Sequence, residues 1–183
     1  MDTIFLAQRG NYQKLIVYQK SKIIYDITFF FVQHFLQKSD RTIDQMIQAA
    51  RSGKQNIAEG NQAAITSSET EIKLTNVARA SLEELLIDYK DYLRTRNKTL
   101  WTKTHPRYEK TRLYASSQKI FLEYTSLLPK CNDEELANLC ITLIHQTSSL
   151  LFQLLKKQES NFIKQGGIRE NMYQARKNYK AKN

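Results

Sequence analysis

The side chains that most often bind metals or catalyse reactions are few in this chain and widely separated. They are the histidines His34, His105 and His145 and the cysteines Cys131 and Cys140. No pair has the spacing of zinc ligands. A di-iron carboxylate bundle needs a glutamate three residues before a histidine on two helices, and none of the three histidines has one. The sequence therefore predicts no metal site.

Motifs for nucleotide chemistry and covalent catalysis are also lacking, since the chain has neither a glycine-rich phosphate loop nor a G-x-S-x-G elbow. His145 and Gln146 stand in an apolar helical stretch, where we expect a hydrogen-bonded core pair rather than a catalytic base. Cys140 lies in the same stretch and is predicted to be a small core residue. We therefore predict a protein that is not an enzyme and uses no cofactor.

The cysteines and the apolar segments together predict the cellular compartment. Two isolated cysteines form no disulfide framework, so a reducing cytoplasm is expected. The first residues, MDTIFLAQRGN, have no basic region before an apolar run and do not resemble a signal peptide. Residues 23–36 form the most apolar segment, which is too short and too polar to cross a bilayer. We expect a cytoplasmic protein without membrane contact.

Positive charge is the strongest compositional signal. The chain of 183 residues carries a formal charge of +10, which favours a polyanionic partner, nucleic acid first. Residues 90–112 and residues 156–183 each hold eight basic and two acidic residues, and tyrosines and the single tryptophan are interspersed among them. The candidate nucleic-acid-binding residues are Arg94, Arg96, Lys98, Lys103, Arg107, Arg169, Arg176, Lys177 and Lys180. The alternative is a solvated surface with a solubilising tail, and no standard nucleic-acid-binding module is present.

Apolar periodicity predicts helices almost throughout, and only five glycines and two prolines interrupt it. The predicted helices span about 11–38, 40–64, 67–96, 107–128 and 133–165. We predict an all-α fold, an antiparallel up-down four-helix bundle with an extra short helix in the 98–130 insert. The predicted domains are a helical bundle over 1–167 and a basic C-terminal suffix over 168–183. The suffix could form one more short helix and is expected to be mobile without a partner.

Two features bear on packing and assembly. Gly53 and Gly60 lie on an apolar seam with alternating steps of three and four residues, so they should face a neighbouring helix at short distance. The other reading is that Gly60 ends its helix. Phe29, Phe30 and Phe31 are consecutive and cannot all face one core. One of them is expected to contact another helix or another subunit, and the alternative is partial exposure at the surface.

Residues 50–60, ARSGKQNIAEG, resemble the signature of the four-helix-bundle proteins encoded in 23S rRNA intervening sequences, the S23 ribosomal protein family. A small-Ser-Leu-x-Glu segment follows at residues 80–84. Residues 143–146, LIHQ, and 165–176, QGGIRENMYQAR, resemble the suffix-domain branch of that family. The insert over 98–130 goes beyond the family's short core.

The resemblance implies a homo-oligomeric bundle with no established catalytic activity. The family is similar to the accessory protein of diversity-generating retroelements, a basic pentameric barrel that binds RNA and a reverse transcriptase. The structural motif residues are Arg51, Asn56, Glu59 and Gly60 on the second helix and Arg79 and Glu84 on the third. We expect their polar side chains to form a network that fixes the pairing of the second and third helices.

Three hypotheses remain open from the sequence. The first is an oligomeric bundle that binds RNA or another nucleic acid as a ribonucleoprotein component. The second is a protein–protein scaffold without a nucleic-acid role, and the third is an unrecognised enzyme. The sequence does not show whether the two basic blocks form one surface.

Overall fold

A computed structural model describes residues 11–182, and helices account for most of that range. Residues 1–10 of the predicted bundle domain and Asn183 of the predicted suffix lie outside the described residues. The α-helices are α1 (Ile16–Phe35), α2 (Thr42–Ala63), α3 (Ser68–Thr95), α4 (Tyr108–Ser116), α5 (Lys119–Leu127), α6 (Asp133–Gln165) and α7 (Ile168–Lys182). Short 3₁₀ turns occupy Tyr12–Lys14 and Leu128–Lys130. No strand is present within residues 11–182, which confirms the all-α prediction.

The four long helices contact one another in a closed order: α1 packs on α2, α2 on α3, α3 on α6, and α6 on α1. Contacts between side chains show how α3 and α6 run. Gln158, late in α6, donates to Thr75, early in α3. Tyr92, late in α3, donates to Asp133, at the start of α6. The two helices are therefore antiparallel.

The core fills the space between these four helices. Its largest fully buried side chains include Phe31 of α1, Met46 of α2, Tyr89 of α3 and Leu143 of α6. Tyr89 donates a hydrogen bond of 3.1 Å to Thr28, so its hydroxyl has a partner inside the apolar interior. Each long helix thus contributes an apolar face, as the seams in the sequence predict.

The two seam glycines of α2 lie against α3. A Cβ atom at Gly53 would be 2.8 Å from Leu82 Cδ2, and one at Gly60 would be 3.3 Å from Leu74 Cβ. The helix continues past Gly60 to Ala63. The predicted close approach is confirmed, and the reading in which Gly60 ends the helix is wrong.

The three consecutive phenylalanines of α1 have different environments. Phe31 is fully buried, and Phe30 is partly buried with its ring stacked on His34. Phe29 is 43% exposed and lies beside Tyr25. Phe29 is therefore the one of the three that presents a large apolar surface to solvent.

The prediction of one helix over 107–128 is wrong, because the segment forms two helices, α4 and α5, separated by Ser117 and Gln118. Ser117 has extended backbone angles, with ψ at 163°. The break lets Ala115 of α4 and Ile120 of α5 both become fully buried, with α4 against α6 and α5 against α1. A single straight helix could not face both partners.

The suffix after α6 forms the helix α7 over Ile168–Lys182. Gly166 separates the two helices with φ at 71°, a left-handed region that favours glycine. Most α7 side chains are exposed. The predicted short helix is therefore present, and the mobility expected of this segment stays a prediction.

Candidate nucleic-acid interface

Cations at the end of α3 are engaged by carboxylates. Arg94 pairs with Asp91 one turn earlier, at 2.9 Å. Arg96 lies 3.5 Å from Asp40, and its guanidinium also lies over the Tyr92 ring. A phosphate would have to compete with these carboxylates for the two arginines.

The loop after α3 shows the same pairing. Lys98 Nζ lies 3.0 Å from Asp133 Oδ1, and Arg107 Nη1 lies 2.5 Å from Glu135 Oε1. Burial opposes ionisation of Asp133, but hydrogen bonds from Lys98 and Tyr92 outweigh it and lower the pKa of its carboxyl. Of the five predicted residues in this block, only Lys103 has no partner within the described chain.

The α7 cations differ from the first block. Within residues 11–182, the side chains of Arg169, Arg176, Lys177 and Lys180 form no ion pair. At 3.6 residues per turn, these four positions and Tyr173 fall within about 100° of the helix circumference. Tyr173 is 66% exposed. The helix therefore presents a basic stripe that contains an aromatic ring.

The candidate residues Lys98 and Arg107 and the helix α7 adjoin different ends of α6. Lys98 and Arg107 contact its first turn through Asp133 and Glu135, whereas α7 follows its last residue. With 33 residues, α6 is about 50 Å long. Lys98 and Arg107 are therefore separated from the start of α7 by the length of α6.

The expected polar network of the NIAEG motif does not form. Arg51, Glu59 and Glu84 are exposed, and no ion pair within residues 11–182 joins any of them to Arg79. The Arg79 guanidinium instead lies 5.8 Å from the centre of the Phe152 ring. The motif charges therefore face outward rather than across the α2–α3 contact.

A smaller group of neutral side chains connects α2 to α3. Ser52 Oγ and Ser81 Oγ lie 2.9 Å apart, and Asn56 Nδ2 donates to Ser52 Oγ at 3.1 Å. Asn56 also donates to the main-chain carbonyl of Ser52. Of the predicted motif residues, Asn56 takes part in this contact and Gly60 provides the close approach.

The expectation of a core pair at His145 and Gln146 is wrong in part. His145 is exposed, although its surroundings desolvate the ring enough to lower its pKa, with a further contribution from Lys90. Gln146 is half-buried and bonds to Lys20 and to the main chain of Arg112 instead. Cys140 is fully buried, as predicted.

Sequence reasoning missed one buried cation, Lys20 of α1. Only 5% of it is exposed, and its Nζ donates to Ala115 O at 2.6 Å and to Gln146 Oε1 at 2.8 Å. Burial lowers the pKa of the ammonium to about 8. The sequence does contain a signal for this burial. Lys20 lies four residues after Ile16 and three residues before Ile23, and this spacing places it in an apolar stripe of the helix.

No helix within residues 11–182 is long and apolar enough to cross a membrane. In the same part of the chain, no group of three or more histidine, cysteine, aspartate or glutamate side chains could hold a metal ion.

The chain matches no protein-family model, and comparisons with curated proteins and with solved structures find no match either.

Proposed function

We propose that this protein is a non-enzymatic accessory protein that binds RNA or another nucleic acid, with α7 as the main contact. The observation that supports this function best is the unpaired basic stripe of α7. Lysine and arginine neutralise phosphates, and an exposed tyrosine can stack on an unpaired base. A single strand suits such a helix, because stacking requires bases that are not already paired.

The proposed architecture is an antiparallel up-down bundle of α1, α2, α3 and α6. The closed order of contacts supports it, as does the antiparallel pairing of α3 and α6. The links between α1 and α2 and between α2 and α3 are short, which favours antiparallel neighbours. The α4–α5 insert then packs outside the bundle.

We further propose that the bundle forms a homo-oligomer in the cytoplasm. Several large apolar side chains remain exposed, among them Phe29 of α1, Ile87 of α3, and Phe152 and Ile163 of α6. Where such side chains form one contiguous patch, they are typical of surfaces that contact other proteins. The same surfaces would serve a protein–protein scaffold, which is the second candidate function. Under that function the α7 charges contact no phosphate.

Membership in the 23S rRNA intervening-sequence family is part of the proposal. It depends on the ARSGKQNIAEG motif and on the suffix residues. Two observations are compatible with it: the helical architecture, and the close approach of the motif's Gly60 to α3.

The experiment compares two triple variants that lose the same charge. The test variant replaces Arg169, Arg176 and Lys180 by Gln. The control variant replaces three scattered, exposed lysines without ion pairs, Lys38, Lys73 and Lys119, by Gln. Fluorescence anisotropy measures binding of a labelled single-stranded RNA over a range of salt concentrations.

The proposal predicts that the test variant binds more weakly. The slope of log K against log salt should become shallower by up to about 0.7 for each lost phosphate contact. The control variant should keep most of the affinity and slope. An equal loss of affinity in both variants would mean that binding depends only on net charge. If the unaltered protein does not bind the RNA, the protein–protein scaffold is favoured.

A further inference from the structure

A cleft of about 580 Å³ lies between the α4–α5 insert and the first half of α6. Apolar parts of Tyr114, Leu127 and Leu139 line it, together with Trp101, whose ring stacks on His105 at 5.0 Å. Its volume is within the range of small-molecule sites, which are usually concave and largely apolar. These walls can accommodate a compact apolar group of a ligand.

The charges of the cleft are unbalanced. Arg107 is already paired with Glu135. The remaining charged side chains of the lining are Lys110, Lys130 and Glu123, and none of them forms an ion pair within residues 11–182. Two cations against one carboxylate, in a chain with a charge of +10, favour an anionic ligand.

Neutral donors complete the lining. Burial raises the pKa values of Tyr114 and Cys131, so both side chains stay protonated at neutral pH. The hydroxyl groups of Tyr114 and Thr111 have no hydrogen-bond partner within the described chain. Both can donate to an oxygen of a bound anion.

We propose that this cleft binds a small aromatic carboxylate, with its ring between the apolar walls and its carboxylate near Lys110 and Lys130. This site is separate from the proposed nucleic-acid contact, because the cleft adjoins the start of α6 and α7 follows its end. A ligand in the cleft would contact both the insert and α6. Its binding would therefore stabilise the packing of α4 and α5 against the bundle.

Isothermal titration calorimetry with naphthoate and with its neutral analogue naphthylmethanol tests the proposal on the full chain. We expect naphthoate to bind more tightly, because only its head group can pair with the lysines. Trp101 is the only tryptophan of the chain, so a change in its emission on binding reports on the cleft itself.

Variants locate the site. Replacing Lys110 and Lys130 by Gln should weaken naphthoate binding by roughly three- to five-fold for each lysine and leave naphthylmethanol unaffected. Lys38 and Lys73 replaced by Gln form the matched control, which should bind as the unaltered protein does. Tyr114→Phe keeps the ring and removes the hydroxyl. This change should weaken naphthoate binding by roughly three- to ten-fold.

Three results would overturn the proposal. The first is no binding of naphthoate, and the second is equal affinity for the acid and the alcohol. The third is naphthoate binding that Lys110→Gln, Lys130→Gln and Tyr114→Phe all leave unchanged. Circular dichroism confirms that each variant is folded. Naphthoate binding does not depend on α7, so variants of α7 that lose nucleic-acid binding should still bind naphthoate.

Discussion

Lys20 Nζ in α1 donates a hydrogen bond of 2.6 Å to the main-chain carbonyl of Ala115, near the C-terminal end of α4. A second bond from Nζ reaches Gln146 of α6, whose Nε2 donates to Arg112 O in α4. The helix dipole favours a cation at that end of α4. One buried side chain thus connects the insert to two helices of the core.

This contact predicts a specific dependence of stability on pH. Burial lowers the pKa of Lys20 to about 8 in the folded protein, from 10.5 when unfolded. Between these values the unfolded chain binds more protons, so the free energy of unfolding should rise with pH in that interval. Lys20→Met removes the titrating group and should remove this part of the rise.

Urea denaturation at pH 7.5 and at pH 9.5 measures the effect in both proteins. The comparison isolates Lys20 because the other ionisable groups are the same in the two chains. Between the two pH values, the free energy of unfolding should rise in the unaltered protein by on the order of 1–3 kcal/mol more than in Lys20→Met. Equal changes in both proteins would contradict the assigned environment of Lys20.

The approach of α2 to α3 at Gly60 predicts intolerance of a side chain there. A Cβ atom would lie 3.3 Å from both Leu74 Cβ and the Glu71 main-chain oxygen. Gly60→Leu should therefore overpack the contact and destabilise the protein by about 1–3 kcal/mol. The neighbouring exposed position gives the control, since Glu59→Leu should have a much smaller effect. Thermal denaturation measures the melting temperatures of both variants. Equal melting temperatures for Gly60→Leu and the unaltered protein would refute the close packing.

Much of the fold is readable from the sequence because apolar residues at helical spacing leave few alternatives. The seam containing Gly53 and Gly60 predicts which face of α2 meets a neighbour, and the structure confirms it. The break at Ser117 is different, because it depends on Ala115 and Ile120 packing on separate partners. Local sequence does not contain those long-range contacts.

The site residues were harder to predict for a related reason. Spacing along a helix shows which residues share a face, but it does not show what that face contacts. Arg51 and Glu59 therefore suggest a network, while the structure leaves both exposed. In the same way, net charge identifies Lys98 and Arg107 as candidates, and only the fold brings Asp133 and Glu135 to them.

Assembly gives a further prediction. Phe152 is 46% exposed and Ile163 is 75% exposed, both on α6. We expect the protein to form a homo-oligomer that buries part of this surface, and Phe152→Ser with Ile163→Ser should shift it toward the monomer. Multi-angle light scattering at micromolar concentration measures the mass. A particle of 21.5 kDa from the unaltered protein would rule out the homo-oligomer under these conditions.

The central claim is that α7 binds phosphates, and deletion of residues 168–183 tests it most directly. The deletion removes five basic residues and one acidic residue. The truncated protein should keep its melting temperature, because the core residues of the four long helices remain. Its affinity for single-stranded RNA should fall, and the slope of log K against log salt should become shallower by up to about 0.7 per lost contact. Unchanged affinity and slope in a folded truncated protein would contradict the account.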